Sequence, residues 1–339
     1  MDKNNLLTLA IESSCDETSA ALVRNGREVL SNIISSQIDI HKAYGGVVPE
    51  IASRHHLENI NGVTDMALKE AGVGMEDVDF FFVTHGPGLV GALLIGVATA
   101  KAYALALGKP LVGVHHIQGH ISANYIEHPD LEPPFMALVV SGGHTSIIKV
   151  EEYDRLTVLG STRDDAVGEA FDKVARVLDL GYPGGPLIDR LAKTGRRDAI
   201  AFKRVFLEKG SKDFSFSGLK TAVLNYVHNE KQGGREIVRA DVAASFQEAV
   251  LDVIVEKSIS AAIENNENKL ALARGVACNS RLREKLRERC EKESIKVYLP
   301  SPLLCTDNAA MIGCAGYYKY IKGDVTDLSM DAVAHMELE

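Results

Sequence analysis

His116 and His120 stand four residues apart in His115-His116-Ile117-Gln118-Gly119-His120. On a helix that spacing puts two imidazoles on one face, close enough to share a transition-metal ion. Histidines so spaced also cap and pack helices, so a site needs a third, harder ligand. Asp307, in Cys305-Thr306-Asp307-Asn308, is the candidate. It stands where a helix should begin and fits equally the role of that helix's N-cap. Two imidazoles and one carboxylate would leave coordination positions open for substrate oxygens, which implies function rather than scaffolding.

Two polar turns suggest a second chemistry. Leu6–Glu12 and Thr18–Val23 flank Ser13-Ser14-Cys15-Asp16-Glu17, and Phe135–Val140 and Thr145–Ile148 flank Ser141-Gly142-Gly143-His144. Each reads as a strand, a tight turn and a returning strand. Such turns offer hydroxyls and backbone N–H groups to an anion, and Gly142 and Gly143 lack the Cβ that would keep a phosphate off the main chain. The same pattern suits two ordinary hairpins, but its repetition predicts two like-folded lobes around one nucleotide. A third turn, Thr84-His85-Gly86-Pro87-Gly88-Leu89, could present amides to an anion or partner carbonyl, or simply pack a strand closely on a helix.

The elements that must position these groups follow from periodicity. Strand patterns at 6–12, 17–24, 28–35, 79–84, 111–115, 135–141, 145–150 and 270–278 alternate with helical ones near 50–72, 90–107, 116–126, 166–180, 186–195, 217–230, 240–264, 280–292 and 308–321. The class is α/β. The bend His128-Pro129-Asp130-Leu131-Glu132-Pro133-Pro134 is the one clear break, giving an N-terminal lobe of residues 1–130 with 307–339 and a C-terminal lobe of 131–306.

With 339 residues, 46% of them hydrophobic, the chain can bury the core of two lobes. The five cysteines are scattered and odd in number, which suits reduced thiols rather than a disulfide frame or zinc ribbon. No apolar run is expected to reach a membrane span, and the first residues lack a signal-peptide pattern, so a cytoplasmic protein without a membrane partner is expected. The formal net charge of −9 gives nothing global to attract nucleic acid. Local candidates are Arg281–Arg289, whose interleaved Glu suits an i,i+4-paired solvent helix, and Arg196, Arg197, Lys203 and Arg204.

Together with Gly45-Gly46-Val47-Val48-Pro49-Glu50-Ile51-Ala52-Ser53-Arg54, Gly168–Ala175, Gly181–Pro186 and Phe214–Thr221, these segments resemble the TsaD family of tRNA N6-adenosine threonylcarbamoyltransferases over nearly the whole chain. His144 after the glycines resembles the bacterial branch. The resemblance implies the two-lobed actin-like ATPase fold (actin, sugar kinase, heat-shock ATPase), with duplicated βββαβα-type lobes and a central cleft. It implies transfer of the threonylcarbamoyl group from threonylcarbamoyl-AMP to N6 of the adenosine beside the anticodon, in tRNAs reading codons that begin with A.

The same resemblance implies His116, His120 and Asp307 as ligands of one divalent metal, Fe2+ or alternatively Zn2+. Val139, Val140, Ser141, Gly142 and Gly143 would line the substrate phosphate, and Asp172, Gly185, Asp189 and Asn279 the nucleotide. ATP, ADP or AMP, with Mg2+, could occupy the same cleft. Asp16 or Glu17 is the expected catalytic base, because the lone pair of an exocyclic adenine amine is delocalised. The implied partners are tRNA, engaged with helper proteins, a TsaB-like paralogue meeting the first lobe, and a TsaE-like ATPase; the apolar stretch Gly88–Val97 suits that paralogue contact or, equally, a buried helix within the fold. Rival readings are an ATP-binding interaction subunit, a small-molecule kinase and a metalloendopeptidase. The last lacks its general base, since Ile117 occupies the position that a zincin gives to Glu.

Overall fold

The computed structural model describes residues 5–338. The chain runs β1 (Leu7–Glu12), β2 (Glu17–Arg24), β3 (Glu28–Ser36), α1 (Ile38–Lys42), α2 (Pro49–Ala71), β4 (Phe80–Gly86), α3 (Val90–Leu107), β5 (Leu111–His115) and α4 (His116–Glu127). It continues with β6 (Phe135–Val140), β7 (Thr145–Val150), β8 (Leu156–Ser161), α5 (Val167–Val177), α6 (Gly184–Ala192), α7 (Ser217–Gln232) and α8 (Arg239–Glu264). Last come β9 (Lys269–Ala273), α9 (Ser280–Lys292), β10 (Lys296–Tyr298), α10 (Pro302–Cys305) and α11 (Ala309–Ile321).

Two compact units result: residues up to Pro133 with Glu151–Leu156 and the residues from Leu303 onward, and Pro134–Val150 with Thr157–Pro302. Each holds a five-stranded sheet, in the order β3-β2-β1-β4-β5 in the first and β8-β7-β6-β9-β10 in the second. These are the same order. In both, the first two strands form an antiparallel hairpin, Glu12 opposite Ser19 and Val140 opposite Thr145, and β4 and β9 add parallel to β1 and β6 on its other side. The duplicated turn-containing hairpin of the sequence is therefore a duplicated sheet topology.

The first sheet shows why its strands read as continuous apolar runs. Leu9 and Ile11 of β1 and Phe81 and Val83 of β4 pack with α2 and α3 residues such as Ile60, Val63 and Val97. Their neighbours Ala10, Phe80 and Phe82 face the opposite way, toward Ala309, Met311, Ile312 and Ala315 of α11. Alternate side chains thus enter two cores, and a strand apolar on both faces is the requirement of a sheet covered on both sides.

Three expectations are corrected. The run expected as a strand over 270–278 leaves the sheet at Ala273: Arg274 adopts φ +74° and Gly275–Cys278 form a 3-10 turn. The short α1, edge strand β8 and three-residue β10 lie outside the expected elements, because such pieces are too brief or too exposed to carry a period. An apolar stretch of membrane-span length does exist: α3 is 18 residues long and qualifies by length and composition. One face of it packs on β4 and α2, burying Ala92, Leu93, Val97 and Ala100, while Val90, Leu94 and Leu105 are exposed.

Candidate metal centre and nucleotide-binding elements

β5 delivers His115 from the sheet, and α4 begins at once, carrying His116 and His120 one turn apart. Asp307 arrives from the other end of the chain, just ahead of α11. The helices meet at Gly119, where a Cβ would sit 2.7 Å from Ile312 Cδ1 and 3.3 Å from Met311 Cγ, side-chain atoms that would have to shift. The Asp307 carboxylate lies 2.9 Å from His120 Nε2 and 3.7 Å from His116 Nε2. One donor atom from each of the three residues lies within 4.8 Å of the others, a spacing able to hold a metal ion. Asp307 is not the cap of α11, for Asn308 accepts the Met311 N–H at 3.1 Å. Its carboxylate is thereby left to the histidines.

Sequence reasoning missed Glu12, which is fully buried at the end of β1. Its Oε2 lies 3.0 Å from His116 Nδ1 and accepts from Thr84 Oγ1 at 2.6 Å, and its Oε1 accepts from the Ser14 N–H at 2.5 Å. Burial and the Asp307 charge would raise its pKa, but the charge and hydrogen bond of His116, with the Ser14 hydrogen bond, outweigh them and leave the carboxyl below its usual range. With Nδ1–H directed at Glu12, His116 turns Nε2 toward Asp307 as an atom able to bind a metal ion, an arrangement of the kind that orients metal-bound histidines. The signal was available as an acid at the end of an otherwise apolar strand, just before a polar turn.

Of the two proposed bases, Glu17 stands at the start of β2 and accepts from Ser36 Oγ at 2.9 Å. Its pKa is pushed up to about 9, first by burial and then by the charges of Asp307 and Asp16. In the metal-free protein a carboxyl so placed keeps its proton at neutral pH. Because the folded chain binds this proton more tightly than the unfolded chain, the stability contributed by Glu17 is complete below about 4.5 and is lost as pH rises toward about 9. Glu17→Gln, which keeps an acceptor for Ser36, should therefore stabilise metal-free protein at pH 8 by roughly 1–3 kcal/mol. The gain should fade on acidification toward pH 4.5; thermal melts across that range with a pH-independent difference would contradict the assignment.

In the second unit, Val139 and Val140 are fully buried ladder residues, so their side chains support the following turn from below. The turn is closed by the Ser141 N–H to His144 O bond at 2.8 Å and the His144 N–H to Ser141 Oγ bond at 3.0 Å. Gly142 and Gly143 are exposed, and a Cβ at either would meet nothing within 4 Å, which leaves their backbone open to a ligand. Arg274 was also missed. Its guanidinium lies 2.9 Å from His144 Nδ1, placing a cation beside this turn, and the only signal was a charge breaking the apolar run after β9.

The first turn of α5 backs the same loop. The Gly168 N–H donates to Ser141 O at 3.0 Å, and a Cβ on residue 168 would come within 2.7 Å of Gly142 Cα and N. Those atoms are backbone and cannot swing aside. Gly168→Ala should displace the turn and weaken AMP or ADP binding by at least about tenfold, the equivalent of a misplacement costing ~1.4 kcal/mol. Isothermal titration of the nucleotide checks this, and unchanged affinity would separate the turn from phosphate binding.

The remaining second-unit candidates are part of its internal hydrogen bonding. Asp172 accepts the Gly184 N–H at 2.7 Å and is raised in pKa by burial, which that bond partly offsets; Gly185, next along, faces open space. Asp189 accepts from the Ser280 N–H and hydroxyl at 3.2 and 3.0 Å. Asn279 caps α9 through Leu282 N–H at 2.9 Å and donates to Gln247 at 2.8 Å. Asp189, Gln247 and Ser280 line a cavity of about 420 Å³, whereas Asp172 and Gly185 lie outside its lining.

The local basic stretches are corrected as well. Arg281 and Lys285 pair across to Glu248 and Asp252 of α8, Arg289 to Glu256, Arg196 to Asp241 and Arg204 to Asp252. These side chains fasten elements together, while Lys203 and Arg287 of the same stretches are exposed. The Gly88–Leu89 turn is likewise engaged: the Leu89 N–H donates to Ser14 O at 2.8 Å, so it meets a carbonyl and not an anion.

A family model described as TsaD, tRNA N6-adenosine threonylcarbamoyltransferase, matches residues 28–314. A Clostridioides difficile (strain 630) protein of that name is 57% identical over 335 residues, 99% of either chain. One from Clostridium perfringens (strain ATCC 13124) is 58% identical, covering 100% of this chain and 99% of its own. Among solved structures, HypF of T. kodakarensis superposes with a TM-score of 0.64 at 14% identity, covering 96% of this chain and 49% of its own. Component A of the Acidaminococcus fermentans (R)-2-hydroxyglutaryl-CoA dehydratase gives 0.54 at 17% identity, covering 94% and 98%. At those identities the likeness shows the fold alone, the actin-like ATPase fold.

Proposed function

This chain belongs to the TsaD family, the tRNA N6-adenosine threonylcarbamoyltransferases, and we propose that it moves the threonylcarbamoyl group of threonylcarbamoyl-AMP to N6 of the adenosine beside the anticodon. The observation that carries the reading is end-to-end identity near 58% with proteins of that name. It is an acyltransferase acting on tRNA, which sets aside the interaction-subunit, kinase and endopeptidase readings.

His116, His120 and Asp307 would hold the divalent ion, Fe2+ or Zn2+, through two Nε2 atoms and one carboxylate oxygen. When bound, such an ion supplies Lewis-acid polarisation of the carbamoyl carbonyl or neutralises charge on the departing phosphate. Glu12 keeps His116 in the tautomer that offers Nε2. Asp16 takes the proton of the attacking amine. Ser141, Gly142 and Gly143 receive the phosphate through backbone N–H groups and hydroxyl, with Arg274 as the nearby cation. Asp172, Gly185, Asp189 and Asn279 contact the nucleotide, and Gly185 has the open space that a ribose requires.

With Arg281, Lys285 and Arg289 of α9 engaged in internal ion pairs and a formal net charge of −9, tRNA affinity is expected to depend on helpers, a TsaB-like paralogue and a TsaE-like ATPase. Leu57 and Met66 of α2 and Val90 and Leu94 of α3 are exposed apolar residues suited to the paralogue. A tRNA substrate places the work in the cytoplasm. The test is reconstitution: pure chain, helpers, preformed threonylcarbamoyl-AMP and unmodified tRNA, with nucleoside mass analysis of the product. The modified adenosine should form, and its absence with active helpers would refute the reading.

A further inference from the structure

Residues 326–338 run as a strap across the first unit, starting with an antiparallel bridge between Thr326 and Leu111. Thr326 Oγ1 accepts the Gly113 N–H at 2.9 Å, Met330 is buried in the core, and the Val333 N–H donates to His85 O at 2.7 Å. Two of the strap's carbonyls then reach the surroundings of His116. Ala334 O accepts the Gly88 N–H at 3.1 Å, and the next amide, that of Leu89, holds Ser14 O at 2.8 Å. Ser14 Oγ in turn lies 3.1 Å from His116 Nδ1.

The second carbonyl acts through His115, the N-cap of α4. His115 Nδ1 accepts the Ile117 N–H at 3.1 Å, and its Nε2 lies 3.3 Å from Met336 O. A neutral imidazole has one N–H and one lone pair. To accept at Nδ1 it must carry its proton at Nε2, and a carbonyl at Nε2 selects that tautomer. The opposite tautomer would turn a donor toward the Ile117 amide and leave α4 uncapped.

We propose that the strap positions the metal ligands: Met336 O selects the His115 tautomer that caps α4, and Ala334 O fixes the turn that holds Ser14 against His116. This rests on the reading of His116, His120 and Asp307 as ligands. His115 and Ser14 are positioning residues, since neither lies among the proposed ligands. The strap thus supplies pre-organisation, which is worth about 10–100-fold in metal affinity when it comes from groups behind the ligands.

The test is titration of metal-free protein with Co2+, followed by its visible absorption. Five proteins are compared: the full chain, a chain lacking residues 333–339, His115→Asn in each of those backgrounds, and His116→Ala. The deletion should weaken Co2+ binding about 10–100-fold. His115→Asn should recover most of that loss in the shortened chain, because an amide oxygen caps a helix without any choice of tautomer. Should the deleted chain fail to fold, Val333→Pro, which removes the N–H bonded to His85 O, should show the same weakening. Unchanged affinity and spectrum on loss of the strap, or no recovery with asparagine, overturns the proposal. If the full chain takes up no Co2+, or His116→Ala still binds it, the ligand assignment itself falls and the proposal with it.

Discussion

Replacing His116 or His120 with alanine should lower threonylcarbamoyl transfer by about a thousandfold or more, since several kcal/mol of Lewis-acid stabilisation are lost and each 1.36 kcal/mol is tenfold. Metal content after anaerobic loading with Fe2+, or with Zn2+, should fall in parallel. The two variants should differ in stability. His116→Ala removes the partner of the fully buried Glu12, whereas His120 faces Asp307, which is partly open to solvent. Melting of the metal-free proteins should therefore show the larger loss for His116→Ala. Single-turnover rates with preformed threonylcarbamoyl-AMP read the chemical effect directly; either variant retaining full rate and full metal content would remove the trio from the mechanism.

Changing Glu12 should have the next largest effect although it is not a proposed ligand. Its two oxygens serve three donors, the Ser14 N–H, the Thr84 hydroxyl and the His116 ring N–H. Glutamine has nearly the same shape but one acceptor oxygen and an NH2 group, so at least one donor is left facing another donor in a buried setting. Glu12→Gln should weaken metal binding about 10–100-fold, and Glu12→Ala should also cost about 3–5 kcal/mol of stability by stranding half of a buried pair. Metal titration and denaturant unfolding of both variants check this. Normal affinity in Glu12→Gln would show that His116 is oriented by Ser14 alone.

Much of the architecture was legible because it is repetitive or periodic. The hairpins around Ser13–Asp16 and Ser141–His144, and the long helices, follow from apolar spacing, and their duplication pointed to two like sheets before any coordinates. The turn glycines and the His116/His120 pair were legible for a similar reason, since spacing along one element fixes which side chains share a face. Periodicity failed where an element is short or where backbone geometry interrupts an apolar run, as at β8, β10 and Arg274.

What the sequence by itself determined is therefore local: strand or helix, turn chemistry, two imidazoles on one helical face, and a family resemblance carried by contiguous motifs. Tertiary structure alone decided which residues meet across long separations. Glu12 reaches His116 from 104 positions away, whereas the meeting of Asp307 with His120 across 187 positions was already implied by the family resemblance. Arg274 comes to His144, and Arg281, Lys285 and Arg289 of α9 are paired with acids of α8. The physical reason is that such meetings depend on how closely packed elements can approach, through Gly119 between α4 and α11 and Gly168 against Ser141–Gly142. A pattern along one segment gives no measure of that distance.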